Sequence, residues 1–264
     1  MIIDGRMVAS ELEKELAAKV VVLGDKPKIV SILVGSDPAS LLYSELKEKA
    51  ARRVGIDFEI LKVDEIVKED LIDLVRKVAA KEQVTGVMLQ LPIPNITGLE
   101  LNEVLKAIPL SKDVDGMRWE ESGIMPATVS AVIHLINNIE RTIQGSLLDK
   151  KVVVVGARGA VGRPLVYYLK KLGYRNVAEV EWDTTSPADI IRTGEVVISC
   201  VGKEGLVTTE MVTAGSIVID VGAPRGDMMK EVYDNARIAV GVPNGVGPVT
   251  IACLMNNVLD FVKK

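Results

Sequence analysis

Residues Lys151–Pro164, KVVVVGARGAVGRP, decide the fold. Lys151 to Val155 read as a buried parallel strand, because a short continuous apolar run is what a strand covered on both faces requires. Gly156, Gly159 and Gly162 follow at even spacing, and an apolar helical pattern opens with Leu165, Val166 and Leu169. A strand, a glycine-rich turn and a helix N-terminus together make a diphosphate site. Glycines let the backbone approach the phosphates, while N–H groups and the helix dipole favour the negative charge. The spacing is GxxGxxG rather than GxGxxG, and the pattern also fits a tight strand-to-helix turn with no ligand.

Beyond this stretch the alternation continues. Strands are expected at 177–181, 195–201 and 216–221, with helices near 161–172, 187–192 and 208–213. A short strand follows at Ala236–Val240, and the turn Pro243–Pro248, PNGVGP, opens a last helix at Val249–Val262. On the N-terminal side, Ser10 to about Leu23 reads as an amphipathic helix. Strands are expected at Lys28–Val34, Asp57–Val63 and Val84–Leu89. Helices should run from Asp37–Pro38 to Gly55, over Lys68–Lys81 and over Glu100–Ile108. Such β-α-β-α-β order predicts parallel sheets with helices on their faces. Pro109–Pro126 is loop-rich and reads as a boundary, with Thr128–Asn138 a helix leading into the second lobe. The expected fold is α/β and two-lobed. A substrate domain, 1–127, is completed by the C-terminal helix 248–264. A Rossmann-type dinucleotide-binding domain spans 128–247, with a cleft between the two.

Composition narrows the partners. The chain has 264 residues, 48% hydrophobic, enough for sizeable cores. With 32 basic against 36 acidic residues the net charge is −4, which gives no broad attraction to nucleic acid or to an anionic membrane. No apolar run approaches the roughly 18 residues of a membrane span, and the N-terminus does not read as a signal peptide. Cys200 and Cys253 are isolated in apolar surroundings and read as reduced core residues of a cytoplasmic protein. The one histidine, His134, lies inside an apolar pattern, so no metal site is expected.

Three places carry candidate chemistry. Tyr43 and Lys47, four residues apart, share one face of a helix that starts near the carboxyl edge of the sheet. They could do proton chemistry or lie as a solvated surface pair. Gln90 ends the buried strand of VMLQLPIP and needs a partner there, either a ligand, Lys47 or neighbouring backbone. Asp113 and Asp115 flank Val114 on an extended loop and should point opposite ways, one to the substrate and the other solvated or capping.

Taken together, VGSDPASLLYSELK, VMLQLPIP, KDVDG, VVGARGAVGRP and GVPNGVGPVT resemble the bifunctional methylenetetrahydrofolate dehydrogenase/cyclohydrolase family over nearly the whole chain. The resemblance implies oxidation of 5,10-methylene-tetrahydrofolate to the 5,10-methenyl cation, then hydrolysis to 10-formyl-tetrahydrofolate. It places the family's catalytic lysine on Lys47, its tyrosine on Tyr43, its glutamine on Gln90 and its folate-binding aspartate on Asp115. The turn near the folate falls on Pro243, Gly245 and Gly247. The nucleotide site expected here takes Gly156, Ala157, Arg158, Gly159, Val161 and Gly162 from the loop. Asp183 and Thr184 follow the second strand of that domain, and Val201 and Gly202 the third. The resemblance also implies a homodimer.

The chain departs from the family pattern at Ala157–Arg158, where Arg-Ser is usual, and at Trp182–Asp183, where His-Ser is usual. Ala127 and Val129 interrupt the family's Pro-Cys-Thr-Pro, and Asn244 replaces a turn glycine. Asp183, about 20 residues past the glycines, suits the ribose 2′-hydroxyl of NAD. Arg158 can grip the 2′-phosphate of NADP. NADP is expected, because the family usually uses it and the loop arginine is displaced by one position; NAD is the alternative. Two other classes fit the motifs taken singly. One is a different Rossmann-type dehydrogenase of small acids or alcohols, and the other a non-catalytic dinucleotide-binding regulator.

Overall fold

The structure, a computed structural model, describes residues 1–262. The chain divides into two compact units. One comprises Met1–Ser10 and Thr128–Thr250, the other Glu11–Ala127 and the residues from Ile251. Met1–Ser10, expected with the first lobe, therefore group with the second. The cause is long-range pairing: Ile2 bridges Ala239 in parallel, and the Ile3 N–H donates to the Ala239 carbonyl at 2.8 Å.

Helix α1 (Gly5–Val21) starts earlier than expected. The Asp4 carboxylate accepts the Arg6 N–H at 2.9 Å and satisfies a first-turn donor. Next come β1 (Lys28–Val34), α2 (Pro38–Val54), β2 (Asp57–Val63), α3 (Lys68–Ala79), β3 (Gly86–Leu89), α4 (Leu101–Lys106) and the one-turn α5 (Trp119–Ser122). Asp37 caps α2 by accepting the Ser40 N–H at 2.7 Å, and Pro38 occupies the first helical position. Gly55, at φ 93°, ends the helix with its N–H on the Ala51 and Arg52 carbonyls.

The three strands are all parallel in the order β2-β1-β3. On one face Val30, Ile32, Val34, Val87 and Leu89 pack with Leu71 and Val75 of α3 and with Val104 and Leu105 of α4. Alternation along the strands turns Ser31, Met88 and Gln90 to the other face. The chain leaves β1 to one side and returns to the other, so the carboxyl ends of β1 and β3 form the switch point where ligands bind in such sheets.

The second unit holds α6 (Ala127–Ile143), β4 (Val152–Val155), α7 (Gly162–Lys171), β5 (Val177–Val180), α8 (Pro187–Arg192), β6 (Val196–Ser199), β7 (Ile217–Asp220), α9 (Lys230–Asn235), β8 (Ile238–Val240) and the start of α10 (Val246–Val262). Its parallel sheet runs β5-β4-β6-β7-β8, with the switch point between β4 and β6. Val153, Val155, Val180, Val197 and Val218 fill the core against Ile191, Val207 and Val232.

The helix expected at 208–213 is a single 3₁₀ turn, Thr209–Met211, because Val207 is drawn into a bridge with Met228 and Val212 is extended. Helix α9 had no apolar periodicity to reveal it and buries one side chain, Val232. Asn244 adopts φ 74°, a left-handed conformation that asparagine tolerates better than most residues, which explains why it can stand for a glycine. Of the expected C-terminal helix, Lys263 and Lys264 lie outside the described residues.

Candidate active site

Helix α2 buries Ser40, Ser44, Lys47, Ala51 and Val54, a stripe at helical spacing. Lys47 lies within it and is 9% exposed. A lysine in such a stripe needs a partner for its ammonium. The partner comes from the end of β3, where the Lys47 Nζ donates to the Gln90 Oε1 at 2.9 Å. The Gln90 Nε2 in turn donates to the Leu91 carbonyl at 2.7 Å, which fixes the amide orientation. Gln90 therefore meets two of its three anticipated partners at once.

Asp115 supplies the compensating charge. Burial pushes the Lys47 pKa below its ordinary value, and the negative charge of Asp115 pulls it part of the way back. Burial likewise raises the Asp115 pKa, and Lys47 opposes that rise. Tyr43, one turn before Lys47 on α2, is half-buried, and burial raises its phenol. Lys47, Gln90 and Asp115 are thus brought together, with Tyr43 on the same helical face.

The loop bearing Asp115 is held from two sides. Asp113, buried, accepts the Met117 N–H at 3.1 Å and the Arg118 N–H at 2.8 Å, so of the two acids it is the one that binds backbone. Asn257 of α10 donates through Nδ2 to the Val114 carbonyl at 3.0 Å and the Met125 carbonyl at 3.1 Å. Asn257 went unnoticed in the sequence, where its one signal is a polar residue inside the apolar helix ACLMNNVL.

In the other unit, the glycine loop joins β4 to α7 at the switch point. Gly156 has φ 81°, and a Cβ there would lie 2.8 Å from the Cys200 carbonyl oxygen. At Gly162 a Cβ would lie 2.0 Å from the Gly156 carbonyl oxygen, so only glycine lets α7 start this close to the strand. This tight backbone cradle fits a dinucleotide diphosphate. Ala157 is buried, whereas Arg158, Gly159 and Ala160 are exposed and Val161 partly so.

Arg158 is ion-paired with Asp183, and Glu181 accepts the Arg158 backbone N–H. Strand β5 ends at Val180, so the acid at the strand's end is Glu181, which the sequence reading had placed inside the strand. Thr184 accepts the Glu181 N–H through Oγ1 at 2.7 Å. After β6, Asp227 accepts the N–H groups of Val201 at 2.7 Å and Lys203 at 2.9 Å, holding the turn around Gly202. Asp227 was also missed, because nothing local marks it. Pro243, Gly245 and Gly247 lie in this unit at the turn from β8 into α10, where the Asn244 carbonyl accepts the Gly5 N–H at 2.8 Å.

Burial pushes the Cys200 thiol up to about 12, which leaves it protonated at neutral pH. Among the described residues no group of three or more His, Cys, Asp or Glu side chains could hold a metal. None of the helices described is long and apolar enough to cross a membrane.

Comparison with known proteins agrees with this geometry. Residues 3–115 match the family model for the tetrahydrofolate dehydrogenase/cyclohydrolase catalytic domain, and residues 126–264 match that for its NAD(P)-binding domain. The Bifunctional protein FolD of Exiguobacterium sp. is 35% identical over 284 residues, covering 100% of this chain and 99% of its own. The FolD methylenetetrahydrofolate dehydrogenase/cyclohydrolase of Campylobacter jejuni superposes with a TM-score of 0.89 at 30% identity, covering 100% of this chain and 98% of that one. The FolD of Trypanosoma brucei, solved with NADP and an inhibitor, has a TM-score of 0.88 at 31% identity, covering 100% and 97%. With both domain models matched and relatives covered end to end, the chain belongs to the tetrahydrofolate dehydrogenase/cyclohydrolase family.

Proposed function

We infer that this protein oxidises 5,10-methylene-tetrahydrofolate to 5,10-methenyl-tetrahydrofolate with NADP and hydrolyses the product to 10-formyl-tetrahydrofolate. The observation that carries the reading is the buried Lys47, bonded to Gln90 and charge-balanced by Asp115 at the carboxyl edge of its sheet. Family membership and the glycine cradle support the two-step chemistry.

NADP, when bound, accepts the hydride that leaves the methylene carbon. The folate nitrogens stabilise the cation that remains, so the protein's part in this step is to hold the reacting carbons in line. Asp115 accepts hydrogen bonds from the pterin amino and ring N–H groups, and Tyr43 packs beside the substrate. Hydrolysis adds water to the methenyl carbon, which releases one proton. Ring opening then returns a proton to the folate nitrogen that leaves.

Lys47 handles both transfers. An ordinary lysine, with a pKa of about 10.4, holds its proton too tightly for this near pH 7. Burial lowers the Lys47 pKa and brings the free amine within reach. Gln90 fixes the Nζ position. On the cofactor side, Arg158 takes the 2′-phosphate of NADP after leaving Asp183. We place the enzyme in the cytoplasm as a homodimer; sedimentation as a monomer at micromolar concentration would remove the dimer.

The test is an absorbance assay with 5,10-methylene-tetrahydrofolate and each nicotinamide cofactor. Reduced cofactor and methenyl-tetrahydrofolate should appear together, followed by the formyl product. Cofactor binding without turnover would leave only a dinucleotide-binding protein, and turnover of small hydroxy acids alone would make it a different dehydrogenase.

A further inference from the structure

The two carboxylates that face the glycine loop are held in different ways. Glu181 is the first residue after β5, with a side chain 17% exposed, and its carboxylate accepts the Arg158 backbone N–H. Its own N–H donates to Thr184 Oγ1 at 2.7 Å, and the Thr184 N–H returns to the Glu181 carbonyl at 3.1 Å. The turn is closed on itself and Glu181 is pinned against the loop backbone. Asp183 is 46% exposed and grips the Arg158 guanidinium at the end of a side chain that is itself 58% exposed. One carboxylate is buried against the loop backbone, and the other is half-exposed and held by the Arg158 side chain.

In sheets of this kind, the acid at the end of the strand that follows the glycine loop, about 20 residues on, accepts the 2′-hydroxyl of an adenosine ribose. Both acids satisfy that count. Glu181 alone stands at the end of the strand with its carboxylate on the loop. Asp183 grips the guanidinium that a 2′-phosphate needs, and the Glu181 Oε2 lies 3.8 Å from its Nε.

We propose that Glu181 reads the 2′ position of the cofactor's adenosine ribose, and that through it the site takes NAD as well as NADP. The inference rests on the proposed dinucleotide site and deepens it. A 2′-hydroxyl donates a charge-assisted hydrogen bond to Glu181 and leaves the Arg158–Asp183 pair intact. A 2′-phosphate gains Arg158, but it must displace Asp183 and stand beside a carboxylate buried against the loop backbone. Each cofactor wins one contact and forgoes the other, which draws their affinities together.

The test uses the whole protein and two probes that need no turnover, adenosine 5′-monophosphate and adenosine 2′,5′-bisphosphate, titrated calorimetrically. Glu181→Gln keeps an acceptor for the Arg158 N–H and removes the charge. It should tighten the bisphosphate and weaken the monophosphate, each by about tenfold. Asp183→Asn should tighten the bisphosphate and leave the monophosphate unchanged. KM for NAD and NADP should follow the same pattern with little change in kcat.

An unchanged ratio of the two probes in Glu181→Gln overturns the proposal. So does an Asp183→Asn variant that loses the monophosphate as Glu181→Gln should. If neither probe binds the parent protein, the proposal falls together with the nucleotide site. If both bind and shift as expected while methylene-tetrahydrofolate is not oxidised, the reading of the folate chemistry fails and the role of Glu181 stands.

Discussion

Replacing Lys47 by methionine should separate the two reactions. Methionine has nearly the length and volume of lysine, so the buried stripe of α2 keeps its packing while the Lys47 amine disappears. The structural cost has three parts. Gln90 Oε1 loses the donor it holds at 2.9 Å and becomes a buried acceptor without a partner, which costs about 1–3 kcal/mol. Against this, an ammonium that burial disfavours is no longer desolvated. Asp115 also loses the positive charge that opposes the rise of its pKa, so the variant should melt below the parent, and its rates are read at a temperature where a melt shows it folded. The chemical cost is larger, because losing general acid–base assistance slows a step by about 10²–10⁴-fold. The assay supplies methenyl-tetrahydrofolate directly and follows its disappearance at constant pH, with hydride transfer measured separately from methylene-tetrahydrofolate. Hydrolysis should fall by that factor while part of the hydride transfer survives. Parent-rate hydrolysis in a folded Lys47→Met protein would refute the assignment.

Hydrolysis should rise with pH through the lowered pKa of Lys47, below 10.5, and level off above it; Asp115→Asn, by removing the charge that favours the ammonium, should move this limb to lower pH. By the same linkage, the cost of burying Lys47 falls as pH rises from its folded pKa to 10.5, a gain in melting temperature that Lys47→Met should lack. Asp115→Ala should weaken folate binding by about ten- to a hundredfold and leave cofactor affinity alone, as calorimetry with each ligand can check. Asn257→Ala frees the Val114 and Met125 carbonyls and should raise the folate KM while lowering stability by about 1–3 kcal/mol, measured by denaturant melts. Gly162→Ala drives a Cβ against the Gly156 carbonyl and should weaken NADP binding about tenfold or more, an overpacking cost of about 1–3 kcal/mol.

Local chemistry was legible in the sequence, and long-range pairing was not. Asp37–Pro38 and Gly55 bracket α2 because capping and left-handed termination depend on neighbouring residues. Lys47 and Gln90 could be matched because an amide at the end of an apolar strand has few ways to be satisfied. Glu181 was misplaced because VAEVEW carries no signal for where the ladder stops. The partner of Ile2 lies more than two hundred residues away, and Asn257 acts on a loop at Val114 that no pattern connects to it. Conformation at single positions, such as φ 74° at Asn244, is chemically permitted by the residue without being announced by it.

The chain changes unit three times, and this has a consequence for the order in which the protein can be built. During synthesis Ile2 and Ile3 are made more than two hundred residues before their pairing site at Ala239. Likewise the Asp115 loop waits for Asn257. Neither unit can complete itself until Ala239 and Asn257 have emerged, so until then one unit lacks the partner of Ile2 and the other has an unclamped loop. Nascent chains stalled before Ala239 should remain sensitive to protease around Ile2 and Ile3, and emergence of the segment from Ala239 to Asn257 should be the event that closes both units.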